Sequence, residues 1–407
     1  MAKLIILAPH ASYRINPFLE ACTHLNLSPF LVCSQSGFQL PTETPGLVID
    51  FEVFDSLISE LNRLGGASSF FGIIGTDDSS SVLAARVAKS LGLPGNSPES
   101  MEIARDKILA RAAMVDAGLN VPDYRVVHLE QADVTDLPDF PVVLKPRALS
   151  ASRGVMRCDN GTQFMSAKQR LKRLLQSEYL EPDLTCLVES FIPGQEVAIE
   201  GVLHEGKLEL LAIFDKPDAL DGPWFEETYY LTPSRHDREI QQAIECCAQQ
   251  VCNAYGLEFG AIHGEFRINS RGVWPLELAA RTIGGKCAKL IQYATGENLE
   301  EIVIRRLVGK PLPKTEVQGG AGVLMIPVPG DGVVRRVEGI GNARNVDDIE
   351  AVEIDISSGQ VLKSWPEGGS YPGFIFSRAR SPDRAEAALR EAHAQLKIVL
   401  APLLPIA

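Results

Sequence analysis

The sequence predicts a protein of mixed α/β and α+β class. Apolar strands and amphipathic helices alternate along roughly the first 97 residues, which is typical of a doubly wound parallel sheet. From about residue 123 to 213 the apolar positions instead follow the two-residue period of half-covered antiparallel strands. The segment from about 320 to 407 has the pattern of a last, smaller α+β unit.

The composition restricts the function classes. The chain has 407 residues, of which 45% are hydrophobic and 22% charged, so we expect about two to four globular domains. Its net charge of −13 argues against non-specific binding to DNA, RNA or anionic membranes. The first apolar run is too short for a signal peptide, and no window has the ~18 apolar residues of a membrane span. We therefore expect a cytoplasmic protein.

The eight cysteines are scattered and form no C-x-x-C pair. Cys246, Cys247 and Cys252 share one helical pattern, for which a metal site is one interpretation. Free cysteine on a helix is more often a small buried apolar residue, and we favour that interpretation. Reduced thiols agree with a cytoplasmic location.

The N-terminal unit contains four predicted strands, with the sequences KLIILA, PFLVCS, GLVIDF and FFGIIG. The first strand-to-helix loop, PHASYR, lacks the G-x-G-x-x-G spacing of a dinucleotide site. No NAD site is therefore predicted in this unit.

A helix is predicted for residues 98–117. Ser97 suits its N-cap, and Gly118 suits the left-handed position after its last turn. Asp106 and Lys107 would lie in the middle of this helix.

The stretch VVLKPRALSASRGV, residues 142–155, is typical of a buried strand that ends near Lys145, followed by a flexible loop of small residues. A lysine beside such a loop suggests phosphate binding. The P-loop pattern G-x-x-x-x-G-K-[ST] is absent from the chain. A nucleotide would therefore have to be held in another way.

The segment LVESFIPGQEV, residues 187–197, joins two strands through a Pro-Gly turn. An apolar connector of this kind can sandwich a flat base and offer backbone groups to its edge. Glu196, seven residues after Glu189, can accept hydrogen bonds from both ribose hydroxyls. A plain turn with two solvated carboxylates is the alternative.

The segment 214–234, FDKPDALDGPWFEETYYLTPS, has the composition of a long acidic loop. Long loops within compact domains are usually functional or mobile. An amine-binding loop and a solvated surface loop both remain open.

A hairpin is predicted around residues 270–272, with Gly272 in the left-handed position of a three-residue loop. The predicted cross-strand pairs are Asn269 with Val273, Arg267 with Pro275, and Glu265 with Glu277. Two glutamates that face each other repel unless a cation neutralises them. Mg²⁺ suits such a pair, because it favours one or two carboxylates completed by phosphate oxygens and water. An exposed hairpin face with solvated glutamates is the alternative.

The remaining pattern is helical with one break. Helices are predicted for about 236–255 and at IGGKCAKLIQYA and LEEIVIRRLVG, and the last helix for about 382–400. KPLPKTEVQGG, residues 310–320, is predicted to be a linker because of its proline, glycine and charge.

Taken in this order, the segments resemble the ATP-grasp superfamily, and within it the carboxylate–amine ligase branch that includes bacterial L-amino-acid ligases. Biotin carboxylase and glycinamide ribonucleotide synthetase are more distant members. The segments that carry the resemblance are residues 75–122, 142–155, 188–201, HGEFR at 263–267, LELAARTIGG at 276–285, and 368–393. The resemblance implies an ATP-grasp fold with a Rossmann-like preATP-grasp domain at 1–105, a grasp domain at 106–315 and a C-terminal ligase module at 316–407. The lid subdomain would span about 125–205.

The resemblance also implies which residues bind ATP and metal. Those implied for ATP are Lys107 and Lys145 at the phosphates, the covering loop with Ser150, Ser152, Arg153 and Gly154, Glu189, Ser190, Phe191 and Ile192 at adenine, and Glu196 at the ribose. Glu265 and Glu277 would hold Mg²⁺ or Mn²⁺.

Five residues are expected at the reacting groups. Arg281 would steady the transferring phosphoryl group, Glu227 would hold a substrate ammonium, and His263 would orient the substrate or act as a base. Gly284 and Gly285 would adjoin the first substrate, where Gly285 suggests room for a larger or differently shaped carboxylate.

One position departs from the pattern of the superfamily. Many ATP-grasp enzymes carry Asn two residues after the second metal carboxylate, and this chain has Ala279 there, as amino-acid ligases do. The departure disfavours the D-Ala–D-Ala ligase-like branch. It also leaves more of the metal coordination to phosphate oxygens.

The implied reaction joins two small substrates. A carboxylate oxygen attacks the γ-phosphate of ATP to give an acyl phosphate, and an amine then attacks the acyl carbon to give an amide, ADP and phosphate. The partners would be ATP and small amino-acid-like carboxylates and amines, with a homodimer as the expected assembly. A purine-pathway ligase or transformylase and a non-catalytic nucleotide-binding regulator are the alternatives.

Overall fold

The N-terminal unit is a parallel four-stranded sheet with helices on both faces. The computed structural model describes residues 2–9, 12–34, 44–51, 53–147, 149–312 and 317–403. The strands are β1 (Lys3–Ala8), β2 (Ser28–Ser34), β3 (Gly46–Ile49) and β4 (Phe70–Gly75), in the order β3-β2-β1-β4. The helices are α1 (Ile15–His24), α2 (Phe54–Arg63) and α3 (Asp78–Leu91). Alternate β1 residues enter two different apolar cores, so the predicted doubly wound arrangement is confirmed.

The predicted helix at 98–117 is two helices, α4 (Pro98–Arg105) and α5 (Lys107–Asp116). Asp106 has an extended backbone, and its carboxylate accepts hydrogen bonds from two backbone N–H groups in the first turn of α5. The single-helix prediction was wrong because an aspartate can cap a new helix instead of continuing the old one. The break places Lys107 in the first turn of α5.

A second sheet is antiparallel and carries one long helix. Its strands are β5 (Tyr124–His128), β6 (Val142–Pro146), β7 (Met156–Cys158) and β8 (Thr185–Ser190), in the order β5-β8-β6-β7. Helix α6 (Gly161–Glu178) packs Phe164, Leu171 and Leu175 into the core of this sheet. This lid sheet, as we name residues 124–190, forms one wall of the cleft described below.

The largest sheet forms the opposite wall. Its strands are β9 (Gln195–His204), β10 (Lys207–Asp215), β11 (Tyr229–Thr232), β12 (Gly260–Asn269), β13 (Gly272–Ala279), β14 (Gly320–Met325), β16 (Ile349–Ile354) and β18 (Gly373–Ala379). Their order is β13-β12-β9-β10-β11-β14-β18-β16. This central sheet therefore contains strands from both the predicted grasp domain and the predicted C-terminal module.

Helices cover the central sheet, and a small sheet completes the chain. The helices are α7 (Arg238–Tyr255), α8 (Ala288–Thr295), α9 (Leu299–Leu307), α10 (Ile340–Arg344) and α11 (Pro382–Gln395). The small sheet has the order β17-β15-β19, with β15 (Gly332–Glu338), β17 (Val361–Leu362) and β19 (Lys397–Ala401). Cys247 and Cys252 are buried on α7, as expected, whereas Cys246 is exposed.

Three local predictions were wrong. The last helix ends at Gln395, because the β-branched run that follows forms β19 instead. The acidic segment 214–234 is not all loop, since β10 extends into it and the buried strand β11 lies within it. The hairpin loop has two residues, with Asn269 paired to Gly272, and a bulge after Glu265 restores the predicted pairing of Glu265 with Glu277.

Some predictions lie partly outside the described residues. These are residues 10 and 11 of the first loop, residue 148 of the predicted phosphate loop, and residues 313–316 of the linker with the 315/316 domain boundary. Among the described residues, no helix combines the length and apolar character needed to cross a bilayer.

Candidate active site

A cleft of about 1110 Å³ separates the lid sheet from the central sheet. Residues of the N-terminal unit and residues near β14 and β18 also line it. Sixteen of the eighteen predicted site residues line this cleft, and the exceptions are Arg153 and Gly154. Because those sixteen come from segments far apart in sequence, the fold brings the predicted site together.

The two predicted phosphate lysines both line the cleft, Lys107 from the first turn of α5 and Lys145 from β6. Lys107 donates to the Leu149 carbonyl at 2.9 Å and lies 3.5 Å from a Glu277 oxygen. Lys145, at the end of β6, lies 2.5 Å from Glu189. Both ammonium groups are therefore held at the cleft surface by neighbouring acceptors.

Glu189 is a buried acceptor for two cations. Its oxygens bind Lys145 and the Nε of Arg111, each at 2.5 Å. Burial opposes ionisation, but Arg111 and Lys145 lower the pKa of Glu189 below its usual value. Arg111, which we did not predict, also donates to the Pro275 and Leu276 carbonyls at 3.1 Å and so ties α5 to β13.

The predicted covering loop folds against the C-terminal part of the chain. Ala151, Ser152 and Gly154 all have left-handed backbones, with φ of 55°, 55° and 72°. The Gly154 N–H donates to the Pro366 carbonyl at 2.9 Å, and the Trp365 indole donates to the Ala151 carbonyl at 3.1 Å. Ser150 and Ser152 line the cleft. Gly154 does not line it, and its N–H is occupied by the Pro366 carbonyl.

Arg153 also leaves the cleft. Its guanidinium binds Glu178 of α6 at 2.7 Å, and its stem packs close to Gly369. Arg153 therefore links the loop, the lid helix and the C-terminal segment.

The predicted base-binding connector contains an aromatic ring, Phe191, that contacts two guanidinium groups. Phe191 lies 4.2 Å from Arg157 and 4.8 Å from Arg267, and Ser190 and Ile192 also line the cleft. Arg267 donates to the Ile192 carbonyl at 2.7 Å. The connector is thus held in one conformation by cation–π contacts and a backbone bond.

A buried lysine lies among three carboxylates. Lys216 Nζ lies 2.8 Å from Glu196, 3.0 Å from Glu227 and 3.1 Å from Glu265, and only 2% of the Lys216 side chain is exposed. One oxygen of each carboxylate lies within 4.8 Å of the other two. Burial opposes the charge on Lys216, but these three carboxylates raise its pKa well above the usual value. We did not predict Lys216, which directly follows β10 and lies in the segment 214–234 that was predicted to be an acidic loop.

Glu196 has a second cationic partner. Arg267 Nε lies 2.9 Å from its other oxygen. Burial opposes ionisation, but Lys216 and Arg267 lower the pKa of Glu196 below its usual value. Glu196 is therefore a fixed carboxylate at the cleft wall.

Glu265 and Glu277 are the directly opposed residues of the β12–β13 ladder. Both face the cleft, and their side chains are 25% and 43% exposed. Lys216 and Lys107 lie on either side of the pair. Two accessible carboxylates on rigid strands, with open space beside them, fit a Mg²⁺ ion that keeps water or phosphate ligands.

Arg281 is held by the N-terminal unit. Its Nε donates to Asp78 at the start of α3 at 2.8 Å, and its Nη1 donates to the Thr282 carbonyl at 3.1 Å. Burial opposes the charge, but Asp78 raises the pKa of Arg281 further above its usual value. Asp78 and its neighbour Asp77, which binds Arg14 at 2.5 Å, were not predicted.

His263 is neutral, and 11% of its side chain is exposed. Its Nδ1 lies 3.0 Å from the Ile199 carbonyl and 3.3 Å from Glu200. Burial, and then the positive charges of Arg281 and Lys216, lower the pKa of His263 to about 3. Since a carbonyl can only accept, the proton lies on Nδ1 and the lone pair lies on Nε2.

Glu227 is the predicted ammonium-binding residue. One of its oxygens accepts from Lys216, while the other is buried and has no partner among the residues that the structure describes. Burial raises the pKa of Glu227 to about 8, and Glu265 and Glu196 add to the effect while Lys216 opposes it. A buried oxygen without a donor is costly, and a cationic ligand would satisfy it.

Gly284 and Gly285 line the cleft. Gly285 has a left-handed backbone with φ of 60°, and a Cβ there would lie 3.2 Å from the Met325 sulfur and 3.6 Å from Phe374. Only glycine adopts this backbone at no steric cost. A side chain at this position would also enter the cleft.

Comparison with known proteins identifies two domains. Residues 138–289 match the ATP-grasp domain, and residues 324–401 match the L-amino acid ligase C-terminal domain 2. Both predicted features, the ATP-grasp fold and the L-amino-acid-ligase C-terminal module, are therefore confirmed.

The curated relatives of this chain include ligases, of which two are described here. Alanine–anticapsin ligase of Bacillus subtilis is 25% identical over 276 residues, which cover 61% of this chain and 56% of that protein. D-alanine–D-alanine ligase of Syntrophotalea carbinolica is 25% identical over 280 residues, which cover 66% of this chain and 86% of that protein. The chain thus spans little more than half the length of the first of these relatives. The chain is thus similar to a D-alanine–D-alanine ligase over two thirds of its length, although it has Ala279.

A solved structure shows the same fold. The L-amino acid ligase from Bacillus licheniformis superposes with a TM-score of 0.79 and 24% identity, covering 98% of this chain and 99% of that one. The fold therefore extends over nearly the whole chain.

Proposed function

We propose that this chain, which carries an ATP-grasp domain followed by an L-amino acid ligase C-terminal domain, is an ATP-dependent, ADP-forming carboxylate–amine ligase. Its substrates would be small and amino-acid-like. One observation carries the proposal. The opposed pair Glu265–Glu277, the cationic side chains of Lys107, Lys145 and Arg281, and Glu227 with its unsatisfied oxygen all line one cleft. Relatives that are carboxylate–amine ligases support the same reaction class.

The nucleotide would lie between the lid sheet and the central sheet. Lys107 from α5 and Lys145 from β6 would bind its phosphates, under the loop with Ser150 and Ser152. Since Arg153 and Gly154 turn away from the cleft, they would act by anchoring that loop, and not by side-chain contact.

The base and ribose would lie on the connector. The Phe191 ring and the backbone of Ser190 and Ile192 are accessible from the cleft. Glu189 would hold Lys145 at the phosphates, and its oxygens would meet adenine only through lone pairs that Lys145 and Arg111 leave unused. Glu196 would accept from the ribose hydroxyls in the same way, because Lys216 and Arg267 each occupy only part of one oxygen.

Glu265 and Glu277 would hold Mg²⁺. The ion would offset negative charge on the phosphate oxygens during transfer. Lys107 and Lys216 lie beside the two carboxylates and limit their mutual repulsion.

The reaction has two steps. A carboxylate oxygen attacks the γ-phosphorus, the bond to the β–γ bridging oxygen breaks, and ADP leaves with that electron pair. The amine then attacks the acyl carbon, phosphate leaves, and the amine loses a proton. Arg281, held by Asp78, would stabilise charge on the transferring phosphoryl group and then on the tetrahedral oxyanion.

Two groups would act on the substrates. Glu227 would bind a substrate ammonium through its free oxygen. His263 would accept a hydrogen bond at Nε2 and so orient a substrate amine, because it is neutral at pH 7. Gly284 and Gly285 would leave room for the first substrate.

Two finer points belong to the same proposal. We propose a cytoplasmic location, which the eight free cysteines support, because disulfides are rare in that compartment. We also propose a homodimer, which the mass of the protein in solution would test. The purine-pathway alternative has weaker support, since it rests on fold likeness alone.

The test is phosphate release with ATP and Mg²⁺ against all pairs of the twenty amino acids, β-alanine, GABA and common small carboxylic acids, with product masses read in parallel. A ligase releases phosphate only with two partners and forms a product with their summed mass less water. ATP binding without release across the panel would contradict the proposal and indicate a nucleotide-binding regulator.

A further inference from the structure

A short segment of the C-terminal module contacts the lid sheet. Residues 364–371, which we name the module segment, lie between β17 and β18 in the chain. The segment contacts the covering loop, by which we mean residues 149–154, and it also contacts helix α6. The reaction described above gives this segment no part, so its contacts are the guide to what it does.

The covering loop has a backbone that is unfavourable for its residues. Ala151 and Ser152 both have left-handed backbones with φ of 55°, which cause steric crowding in any residue other than glycine. Such a conformation persists only where the surrounding structure enforces it. Residues 151–154 form a turn between β6 and β7 and belong to neither strand. Contacts from outside the turn therefore help to decide whether the loop keeps this shape.

Trp365 holds the middle of the covering loop. Its indole N–H donates to the Ala151 carbonyl at 3.1 Å. The ring itself is fixed, because only 2% of Trp365 is exposed and it packs with Val334 and Leu362 of the C-terminal module. A donor that packing has already oriented loses little entropy when it binds its acceptor. Trp365 therefore ties the strained part of the loop to a rigid part of the module.

Further contacts hold the end of the covering loop. The Gly154 N–H donates to the Pro366 carbonyl at 2.9 Å, and Arg153 Nη2 donates to the Glu367 carbonyl at 3.4 Å. The stem of Arg153 passes beside Gly369, where a Cβ would overlap it. The end of the loop is thus fitted to the module segment by backbone bonds and by the absence of a side chain at Gly369.

The module segment also binds the lid helix. The two oxygens of Glu367 accept from the Nε and Nη2 of Arg170 on α6, each at 2.5 Å. A bidentate pair of this kind fixes distance and orientation together. About a third of each side chain is exposed, so the pair contributes more to position than to stability. The covering loop and α6 are therefore both held in place by the same eight residues.

The covering loop connects these contacts to the proposed phosphate site. Lys107 donates to the Leu149 carbonyl at 2.9 Å, at the start of the loop. Ser150 and Ser152 line the cleft. The loop is thus bound at its start by a lysine proposed to bind phosphate, and at its middle and end by the module segment. A shift of the loop would move both serines relative to Lys107 and weaken phosphate binding.

We propose that Trp365 and Glu367 are positioning residues for ATP, which hold the covering loop over the phosphates and so give the C-terminal module a part in nucleotide binding. The inference rests on the proposed ATP site. Neither residue lines the cleft, so both act through the loop and α6 and not by contact with the nucleotide. During the reaction a held loop would also keep water away from the acyl phosphate.

The test uses substitutions in the full chain and the non-hydrolysable analogue AMP-PNP. W365F keeps an aromatic ring but removes the indole N–H, and E367Q removes the charge of the bidentate pair. Calorimetry with Mg²⁺ and AMP-PNP measures the affinity. Each variant should bind about threefold to tenfold more weakly than wild type, as for the loss of one hydrogen bond, and W365F/E367Q at least about tenfold more weakly.

Hydrogen exchange locates the effect in the chain. At saturating AMP-PNP, peptides that cover residues 149–155 should exchange faster in both variants than in wild type. Peptides that cover residues 188–193, at the proposed base site, should be equally protected in all three proteins. A role of Trp365 and Glu367 in stability alone would not produce this difference between the two sets of peptides.

Two matched variants serve as controls. W274F removes an indole N–H that donates to Asn269 at 3.1 Å, on a residue that does not line the cleft. E338Q removes a carboxylate of the C-terminal module that pairs with Arg336. Both should leave the affinity for AMP-PNP and the exchange of residues 149–155 unchanged. If W365F fails to fold, E367Q still tests the inference, because the side chain of Glu367 is 30% exposed.

Three outcomes would overturn the inference. They are an unchanged affinity for AMP-PNP in both W365F and E367Q, an equal loss in W274F or E338Q, and exchange that increases as much at 188–193 as at 149–155. A wild type that binds no AMP-PNP would refute the proposed nucleotide site and the inference with it.

The ligase function is tested separately, by phosphate release. A chain that binds AMP-PNP but couples no pair of substrates would refute the ligase function, while the measurements above would still decide the role of the module segment. In a chain that forms amides, W365F should release more phosphate per amide than wild type, because water reaches the acyl phosphate. An equal ratio would refute the part of the module in excluding water.

Discussion

Replacing Lys216 by methionine tests whether one buried cation holds the candidate site together. The ammonium group donates to Glu196, Glu227 and Glu265, and only 2% of its side chain is exposed. Removing one partner of a buried ionic group leaves uncompensated charge and costs about 3–5 kcal/mol. For a cooperative unit of 407 residues, with an unfolding entropy of about 2.1 cal/mol/K per residue, the expected fall in Tm is about 4–6 °C.

The loss should depend on pH with a definite sign. Lys216 and Arg267 lower the pKa of Glu196 in the folded protein, so this pairing stabilises above the usual glutamate pKa and its effect fades as pH falls through the lowered value. In K216M the three carboxylates can escape repulsion by taking up protons. The difference in Tm between wild type and K216M should therefore be larger at about pH 7.5 than at about pH 5.

Calorimetric unfolding at the two pH values measures both effects. K172M is the matched control, because Lys172 pairs with Glu130 on the surface and its loss should leave Tm almost unchanged. The double variant K216M/E227Q should recover at least about 1 kcal/mol, since glutamine needs no counter-ion. A Tm loss for K216M no larger than that for K172M, or one independent of pH, would refute this reasoning.

Three further predictions concern single residues. Burial raises the pKa of Glu227 to about 8, so its affinity for a substrate ammonium should increase as pH rises through about 8. KM for that substrate, measured against pH, should fall over this range in the wild type and show no such fall in E227Q. The same fall in both proteins would contradict the assignment. E265Q and E277Q should each lower the affinity for Mg²⁺ at least about tenfold and leave the affinity for ATP without metal unchanged. Titration of phosphate release with Mg²⁺ would measure the first affinity, and calorimetry with ATP the second. G285A should lower the free energy of unfolding by about 1–2 kcal/mol in thermal unfolding, because φ is 60° at this position. It should also raise KM for the first substrate, since the added Cβ would lie 3.2 Å from the Met325 sulfur. An unchanged KM would argue against a substrate near Gly285.

Local sequence patterns predicted much of the fold. Apolar periodicity and turn residues located the parallel unit, the lid strands and the opposed pair Glu265–Glu277, because these features depend on neighbours along one strand or one hairpin. The errors were also local. Asp106 was a helix cap instead of a mid-helix residue, and the hairpin loop was one residue shorter than predicted. A pattern of residue types does not distinguish capping from continuation, or a bulge from a longer loop.

By itself the sequence determined which residue types surround the candidate site, and the resemblance supplied their expected roles. Only the tertiary structure decided which charges meet. Arg14 and Asp77 are 63 residues apart, and Arg281 and Asp78 are 203 residues apart, yet both pairs form across the same end of the cleft. Lys216 likewise meets three carboxylates from separate strands and a loop. Such contacts follow from the packing of sheets against each other, and no periodicity along the chain encodes them, because pairing energy depends on distance in space and on burial.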